Sequence, residues 1–86
     1  LEGVPQFVVD KTIFSTGIGF ADLLTEKSNI LASKGEYKRA MQENSLSLNK
    51  EKVGDAEKII TADLLINGKY LLIQRGKKNY FLIIAQ

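Results

Sequence analysis

The side chains that most enzymes use for proton transfer and metal binding are absent or scattered in this chain. It has no histidine and no cysteine, so neither imidazole nor thiolate can serve as a metal ligand or a nucleophile. Its ten acidic residues show no pair spaced for general acid–base work. Gly17-Ile18-Gly19 is half of a dinucleotide fingerprint, and Gly68-Lys69 lacks the upstream glycine of a phosphate loop. The sequence predicts no catalytic site.

Positive residues are distributed in a more informative way. The net charge is only +2, but residues 69–86 carry four positive residues and no acid. Residues 33–53 carry five positive residues and three acids: Lys34, Lys38, Arg39, Lys50 and Lys52 against Glu36, Glu43 and Glu51. This division predicts a local positive face, which suits a polyanionic partner.

A helix is predicted from Ser33 to Asn44. Ser33-Lys34-Gly35-Glu36 fits a capping box, in which the serine and the glutamate accept hydrogen bonds from free backbone N–H groups. At 100° per residue, one sector is apolar and the next is positive. The apolar sector holds Tyr37, Ala40 and Met41, and the positive sector holds Lys34, Lys38, Arg39 and Gln42. Asn44 suits a left-handed C-terminal cap.

The remaining pattern predicts a shorter helix over residues 19–27 and several strands. Apolar runs at 6–9, 46–48, 52–53, 63–66, 70–74 and 79–85 are separated by turns at 49–51, 67–68 and 75–77, and a helical turn is predicted over 55–60. Runs 70–74 and 79–85 are apolar on both faces in places, so we expect central strands covered by the helices. The predicted fold is α+β, with two short helices packed on a small, mostly antiparallel sheet that has one covered and one more open face.

Length and composition indicate one small domain. With 86 residues and 44% hydrophobic residues, the chain can form one compact core. We expect residues 1–10 to be a connector ending in an extended run, and residues 11–86 to be the domain. No apolar run approaches a membrane span and no signal peptide is evident, so a cytoplasmic location is expected. The start at Leu1 and the linker-like Gly3-Val4-Pro5 predict a piece of a longer protein.

Three stretches resemble one family. Residues 33–41 (SKGEYKRAM) and 47–53 (SLNKEKV) resemble the S-four-type RNA-binding domain, and residues 68–80 (GKYLLIQRGKKNY) resemble the ending of bacterial tyrosyl-tRNA synthetases. Glu2-Gly3-Val4-Pro5 is similar to the segment that leads into the C-terminal domain of those synthetases. The chain departs from the family at Asn44 and Ser45, and again at Lys50, where glycines are usual. Asn44 can adopt the same left-handed cap.

The resemblance implies an S-four-like fold and a partner, tyrosine tRNA, held at its anticodon stem and long variable arm. It implies no cofactor for this fragment, ATP and Mg²⁺ for the parent enzyme, a homodimeric parent, and a monomeric fragment. The RNA-binding residues it favours are Lys34, Lys38, Arg39, Gln42, Lys50, Arg75, Lys77 and Lys78. Phosphate contact is expected of most of them, and base reading only of Arg39 or Gln42.

Other interpretations stay open. The charged residues of the second helix and of the tip at 75–78 could simply form solvent-exposed surface with no partner. The tip has three positive residues and no nearby acid in sequence, however, and this favours RNA contact. Asn49 is more plausibly a turn cap than a contact, and Tyr70, Tyr80 and Phe81 are assigned to the core rather than to base stacking. The chain could instead belong to a pseudouridine synthase or a ribosome-associated factor of the same superfamily. It could also be a protein–protein adaptor with a basic face.

Overall fold

A computed structural model describes residues 3–86 of the chain. Residues 1 and 2, the start of the predicted connector, lie outside the described residues. The described strands and helices are, in order, β1 (Gln6–Val9), β2 (Ile18–Gly19), α1 (Phe20–Asp22), α2 (Lys34–Gln42), β3 (Leu46–Leu48), β4 (Glu51–Lys52), β5 (Ile59–Ile60), β6 (Tyr70–Arg75) and β7 (Asn79–Ala85). A π-helical turn (Leu23–Lys27) extends α1, and 3-10 turns cover Lys11–Phe14 and Ala62–Leu64. Within residues 3–86, none of the helices has the length and apolar character needed to cross a membrane.

The main sheet has five strands in the order β1-β7-β6-β3-β4, and β2 pairs with β5 in a separate two-stranded sheet. Among the strands of residues 3–86, every pairing is antiparallel except that of β1 with β7. The predicted α+β fold is therefore confirmed, and β6 and β7 are central strands as expected. Strand β1 lies in the segment assigned to the connector, yet it forms one edge of this sheet.

The two faces of the sheet differ in exposure. Leu71, Ile73 and Ile83 are fully buried beneath the helices, where they pack with Phe20, Leu23, Leu24, Tyr37 and Ala40. The opposite face is more open, and its Val8 is 59% exposed. Tyr70 and Tyr80 lie half-buried on this open face, in register with Ile84 and Gln74, so their assignment to the core holds only in part.

Helix α2 begins and ends much as its sequence predicts. The Ser33 hydroxyl accepts a hydrogen bond from the Glu36 N–H at 3.1 Å. The Glu36 carboxylate accepts from the Ala32 N–H, also at 3.1 Å, one residue earlier than a regular capping box requires. At the other end Asn44 has a φ of 54°, and the Ser45 N–H donates to the Ala40 carbonyl at 3.1 Å. This is a Schellman ending with asparagine in the left-handed position.

Two local predictions were wrong. Residues 55–60 were expected to be helical, but the turn at Asp55 closes at Lys58, and β5 follows and pairs with β2. Residues 63–66 were expected to be a strand, but Ala62–Leu64 is a 3-10 turn and only Ile66 makes a bridge, to Tyr70. The first helix, predicted over residues 19–27, is confirmed in position, because α1 and the π-helical turn that extends it together cover residues 20–27.

Candidate nucleic-acid interface

The outer side of α2 carries cations that solvent can reach. Tyr37 and Ala40 are buried on the inner side of this nine-residue helix. Lys38, Arg39 and Gln42 are exposed, because the helical repeat turns them away from that inner side. Within residues 3–86, Lys38 and Arg39 take part in none of the ion pairs. Their charges are therefore available to a partner.

Lys34 is held differently. Its ammonium lies 2.7 Å from the Asp22 carboxylate and 3.0 Å from the Glu26 carboxylate. Hydrogen bonds to these two groups raise the pKa of Lys34 above its usual value. The side chain thus bridges α2 to α1 and to the π-helical turn that follows it. Its charge is largely compensated within the domain.

Arg75 is also paired. The last residue of β6, it forms an ion pair with Glu36 on α2, and the two side chains are 30% and 29% exposed. The hydrogen bond from Arg75 comes first among the causes that lower the pKa of Glu36, followed by the bond from the Ala32 N–H. The sequence showed no acid near the tip, but the fold brings one there. Arg75 therefore joins the sheet to the second helix.

The tip of the β6–β7 hairpin presents two lysines. Gly76 has a φ of 71°, a left-handed conformation that glycine adopts without steric cost. The Gln74 amide donates to the Gly76 carbonyl at 2.9 Å, and the Gly76 N–H donates to the Ser45 carbonyl at 2.8 Å. Lys77 and Lys78 are exposed, and within residues 3–86 no carboxylate pairs with either of them.

The turn between β3 and β4 holds Lys50 at another place. Asn49 and Lys50 have φ values of 51° and 71°, so Lys50 adopts the left-handed conformation at a position where glycine is usual in the family that the sequence resembles. The Asn49 amide donates to the Leu64 carbonyl at 2.8 Å and accepts from the Leu72 N–H at 3.0 Å. Leu72 precedes Arg75 by three positions, about 10 Å along an extended strand, so Lys50 lies toward the other end of β6.

The structure therefore sorts the eight predicted residues into three groups. We call the first the basic surface; it comprises Lys38, Arg39, Gln42, Lys77 and Lys78. The second comprises the ion-paired Lys34 and Arg75, and the third is Lys50 at its separate turn. Sequence analysis missed Glu36 as a partner of Arg75, because 39 residues separate them and no local pattern signals the contact. Within residues 3–86, no cluster of acidic, histidine or cysteine side chains could hold a metal ion.

The family model and the curated relatives that match this chain all belong to one family. Residues 1–83 match the family model described as the tyrosine–tRNA ligase SYY-like C-terminal domain. The chain is 47% identical to a tyrosine–tRNA ligase of Bacteroides thetaiotaomicron over 85 residues, which is 99% of this chain and 20% of that protein. The identity to the Porphyromonas gingivalis ligase is 46% over 84 residues, or 98% and 20% of the two chains. The Flavobacterium psychrophilum ligase is 45% identical over 82 residues, or 95% and 19%.

The chain thus spans about a fifth of the length of the curated relatives it matches. The match favours a synthetase tail over the pseudouridine synthase and ribosome-associated alternatives, because it covers nearly the whole chain and includes the basic tip. On this evidence, the chain belongs to the family of tyrosine–tRNA ligase C-terminal domains.

Proposed function

We propose that this domain binds tRNA for the tyrosine–tRNA ligase to which it belongs. The observation that supports this most directly is the basic surface. Its four cations are exposed and lack carboxylate partners within residues 3–86, and they come from two elements that the Glu36–Arg75 pair joins. An RNA backbone carries one phosphate per nucleotide, so a surface of several cations can contact successive phosphates.

The chemistry of the surface suits backbone binding more than base reading. Lysine ammonium groups act as point charges toward phosphate, whereas arginine can form two parallel hydrogen bonds. Arg39 is exposed and Gln42 lies one helical turn away, and these two side chains could also reach base edges. Lys38, Lys77 and Lys78 would set the position of the RNA without selecting its sequence.

The rest of the ligase would perform the reaction. That part would activate tyrosine with ATP and Mg²⁺ and transfer it to the tRNA 3′ end, as a cytoplasmic homodimer. This domain would hold tyrosine tRNA at the anticodon stem and long variable arm. A second, tethered binding site raises the local concentration of tRNA at the catalytic part without touching the reacting atoms.

The test is charge reversal at the tip of the hairpin in the full-length ligase. The variant K77E/K78E should raise the KM for tRNA about tenfold or more, because two phosphate contacts become repulsive. Tyrosine-dependent pyrophosphate exchange needs no tRNA and should stay unchanged.

The variant K11E/K69E is a matched control. Lys11 and Lys69 are exposed, and backbone hydrogen bonds place them at the end of β7 opposite the tip. The change in net charge is the same, so a tRNA defect of equal size in K11E/K69E would indicate a general electrostatic effect. An unchanged KM in K77E/K78E would contradict the proposal.

A basic adaptor for an acidic protein is the second candidate function, and it predicts a different result in a gel shift. The full-length ligase should retain tyrosine tRNA in the presence of heparin concentrations that displace it from K77E/K78E. If heparin and non-cognate tRNA displace tyrosine tRNA from the wild-type ligase equally well, the result would favour the adaptor.

A further inference from the structure

The Glu36 carboxylate makes two contacts that tie separate parts of the domain together. One oxygen pairs with the Arg75 guanidinium at the end of β6. The other accepts the hydrogen bond from the Ala32 N–H, just before α2 begins. A single half-buried side chain therefore fixes the start of the helix to the base of the hairpin that carries Lys77 and Lys78.

The same hairpin is attached to the other end of α2. The Gly76 N–H donates to the Ser45 carbonyl at 2.8 Å, and Ser45 closes the helix through its own hydrogen bonds to Ala40. Consecutive residues, Arg75 and Gly76, thus contact α2 at its first turn and just beyond its last. These two attachments join the tip end of the hairpin to the helix, in addition to the pairing of its strands with β3 and β1 in the sheet.

We propose that Glu36 and Arg75 are positioning residues, which hold the tip lysines at a fixed spacing from Lys38 and Arg39 so that the two groups bind one RNA as a single surface. This inference rests on the proposed function. Arg75 would then act through the tip and not by touching a phosphate. A preset spacing helps binding, because ordering two groups only when the RNA arrives would cost conformational entropy.

The two possible roles of Arg75 predict opposite effects when Glu36 is neutralised. If Arg75 contacted phosphate directly, E36Q would release the guanidinium and remove a repelling charge near the RNA, so tRNA would bind more tightly. If Arg75 positions the tip, E36Q would loosen the hairpin and tRNA would bind more weakly. Glutamine keeps an oxygen that can accept from the Ala32 N–H, so the start of α2 is preserved.

The experiment compares E36Q, R75Q and the charge swap E36R/R75E in the full-length ligase. Both single variants should raise the KM for tRNA about fivefold, with kcat at saturating tRNA and pyrophosphate exchange unchanged. The slope of log Kd against log salt should stay at the wild-type value, because no phosphate contact is lost. The swap should recover most of the affinity, since it restores the pair with the same net charge.

Binding by E36Q that equals or exceeds the wild type, or a swap that binds no better than R75Q, would overturn the inference. K77E/K78E is measured alongside. If that variant binds tRNA normally, the proposed function fails; if only E36Q and the swap depart from expectation, the positioning role alone fails. Thermal unfolding of E36Q should remain cooperative, and R75K, which keeps the charge, should fall between wild type and R75Q.

Discussion

The domain presents lysine on two turns that are held in different ways. The turn at Asn49 and Lys50 is fixed by one side chain, because the Asn49 amide bonds to the backbone of Leu64 and Leu72. The turn at Gly76 is held within the hairpin by the Gln74 amide, and it is also joined to α2 by the Glu36–Arg75 pair and to the residue beyond that helix by the hydrogen bond to Ser45. The Asn49 side chain therefore joins the first turn to the 3-10 turn and to β6, whereas the second turn is joined to both ends of α2.

These supports determine which lysines have a fixed spacing. Lys77 and Lys78 are tied to α2, so their spacing from Lys38 is a property of the fold. Lys50 stands at the other end of β6 on a turn with its own support. If one stretch of RNA backbone bridges the tip and α2, as proposed, it would have to extend further along the sheet to reach Lys50.

Removing the Asn49 side chain, which supports the first turn, should have the larger effect on stability. We expect N49A to lower the free energy of unfolding by about 2 kcal/mol, because two half-buried hydrogen bonds are lost. Denaturant unfolding of the full-length ligase, or of the domain if it unfolds as a separate transition, measures this. The salt slope of tRNA binding should be unchanged if Asn49 is structural.

K50A is the matched control for N49A. Lys50 has the same left-handed backbone, but its exposed side chain makes no hydrogen bond within residues 3–86. Its replacement should leave the free energy of unfolding nearly unchanged. Equal destabilisation by both variants would show that the backbone conformation, and not the Asn49 side chain, supports this turn.

Acid should loosen the second turn selectively. The pKa of Glu36 is lowered in the folded state by Arg75 and the Ala32 N–H, so the unfolded chain takes up the proton first. The stability that Glu36 contributes is complete above the unfolded pKa, about 4.3, and is lost as pH falls through the lower folded value. The wild-type free energy of unfolding should therefore fall more than that of E36Q between about pH 5 and pH 3.

Other acid-sensitive groups contribute equally to the wild type and to E36Q, so their effects cancel when the two pH profiles are compared. The pKa of Asp10 is also lowered, by hydrogen bonds from the Thr12 N–H and hydroxyl, but Asp10 is present in both proteins. Parallel pH profiles for wild type and E36Q would mean that the Glu36–Arg75 pair adds nothing to folding. The second turn would then depend on the Ser45 contact and the Gln74 hydrogen bond.

Local signals predicted the parts of the fold that local interactions form. Ser33 and Asn44 marked the ends of α2 because each satisfies backbone groups within a few residues. The long apolar runs predicted β6 and β7, since their side chains are buried by neighbours on the sheet. The exposed cations of α2 and the tip were identifiable as candidates from their spacing and from the absence of nearby acids in sequence.

Pairings between distant segments could not be predicted in this way. Strand β5 has only two residues, and Ile59 is 55% exposed, so no alternation marks it; it exists because Ile18 and Gly19 lie beside it. The parallel pairing of β1 with β7 joins opposite ends of the chain. The partner of Arg75 could not be predicted for the same reason, since its contact with Glu36 depends on how the helix packs on the sheet.

The salt dependence of tRNA binding to the full-length ligase tests most directly whether α2 and the tip form one RNA-binding surface. We predict that K38Q and K77Q each reduce the slope of log Kd against log salt by about 0.7–0.9. The double variant should reduce it by the sum of the two reductions. A slope that stays at the wild-type value in all three variants, or falls in only one of the single variants, would show that α2 and the tip do not bind RNA as one surface.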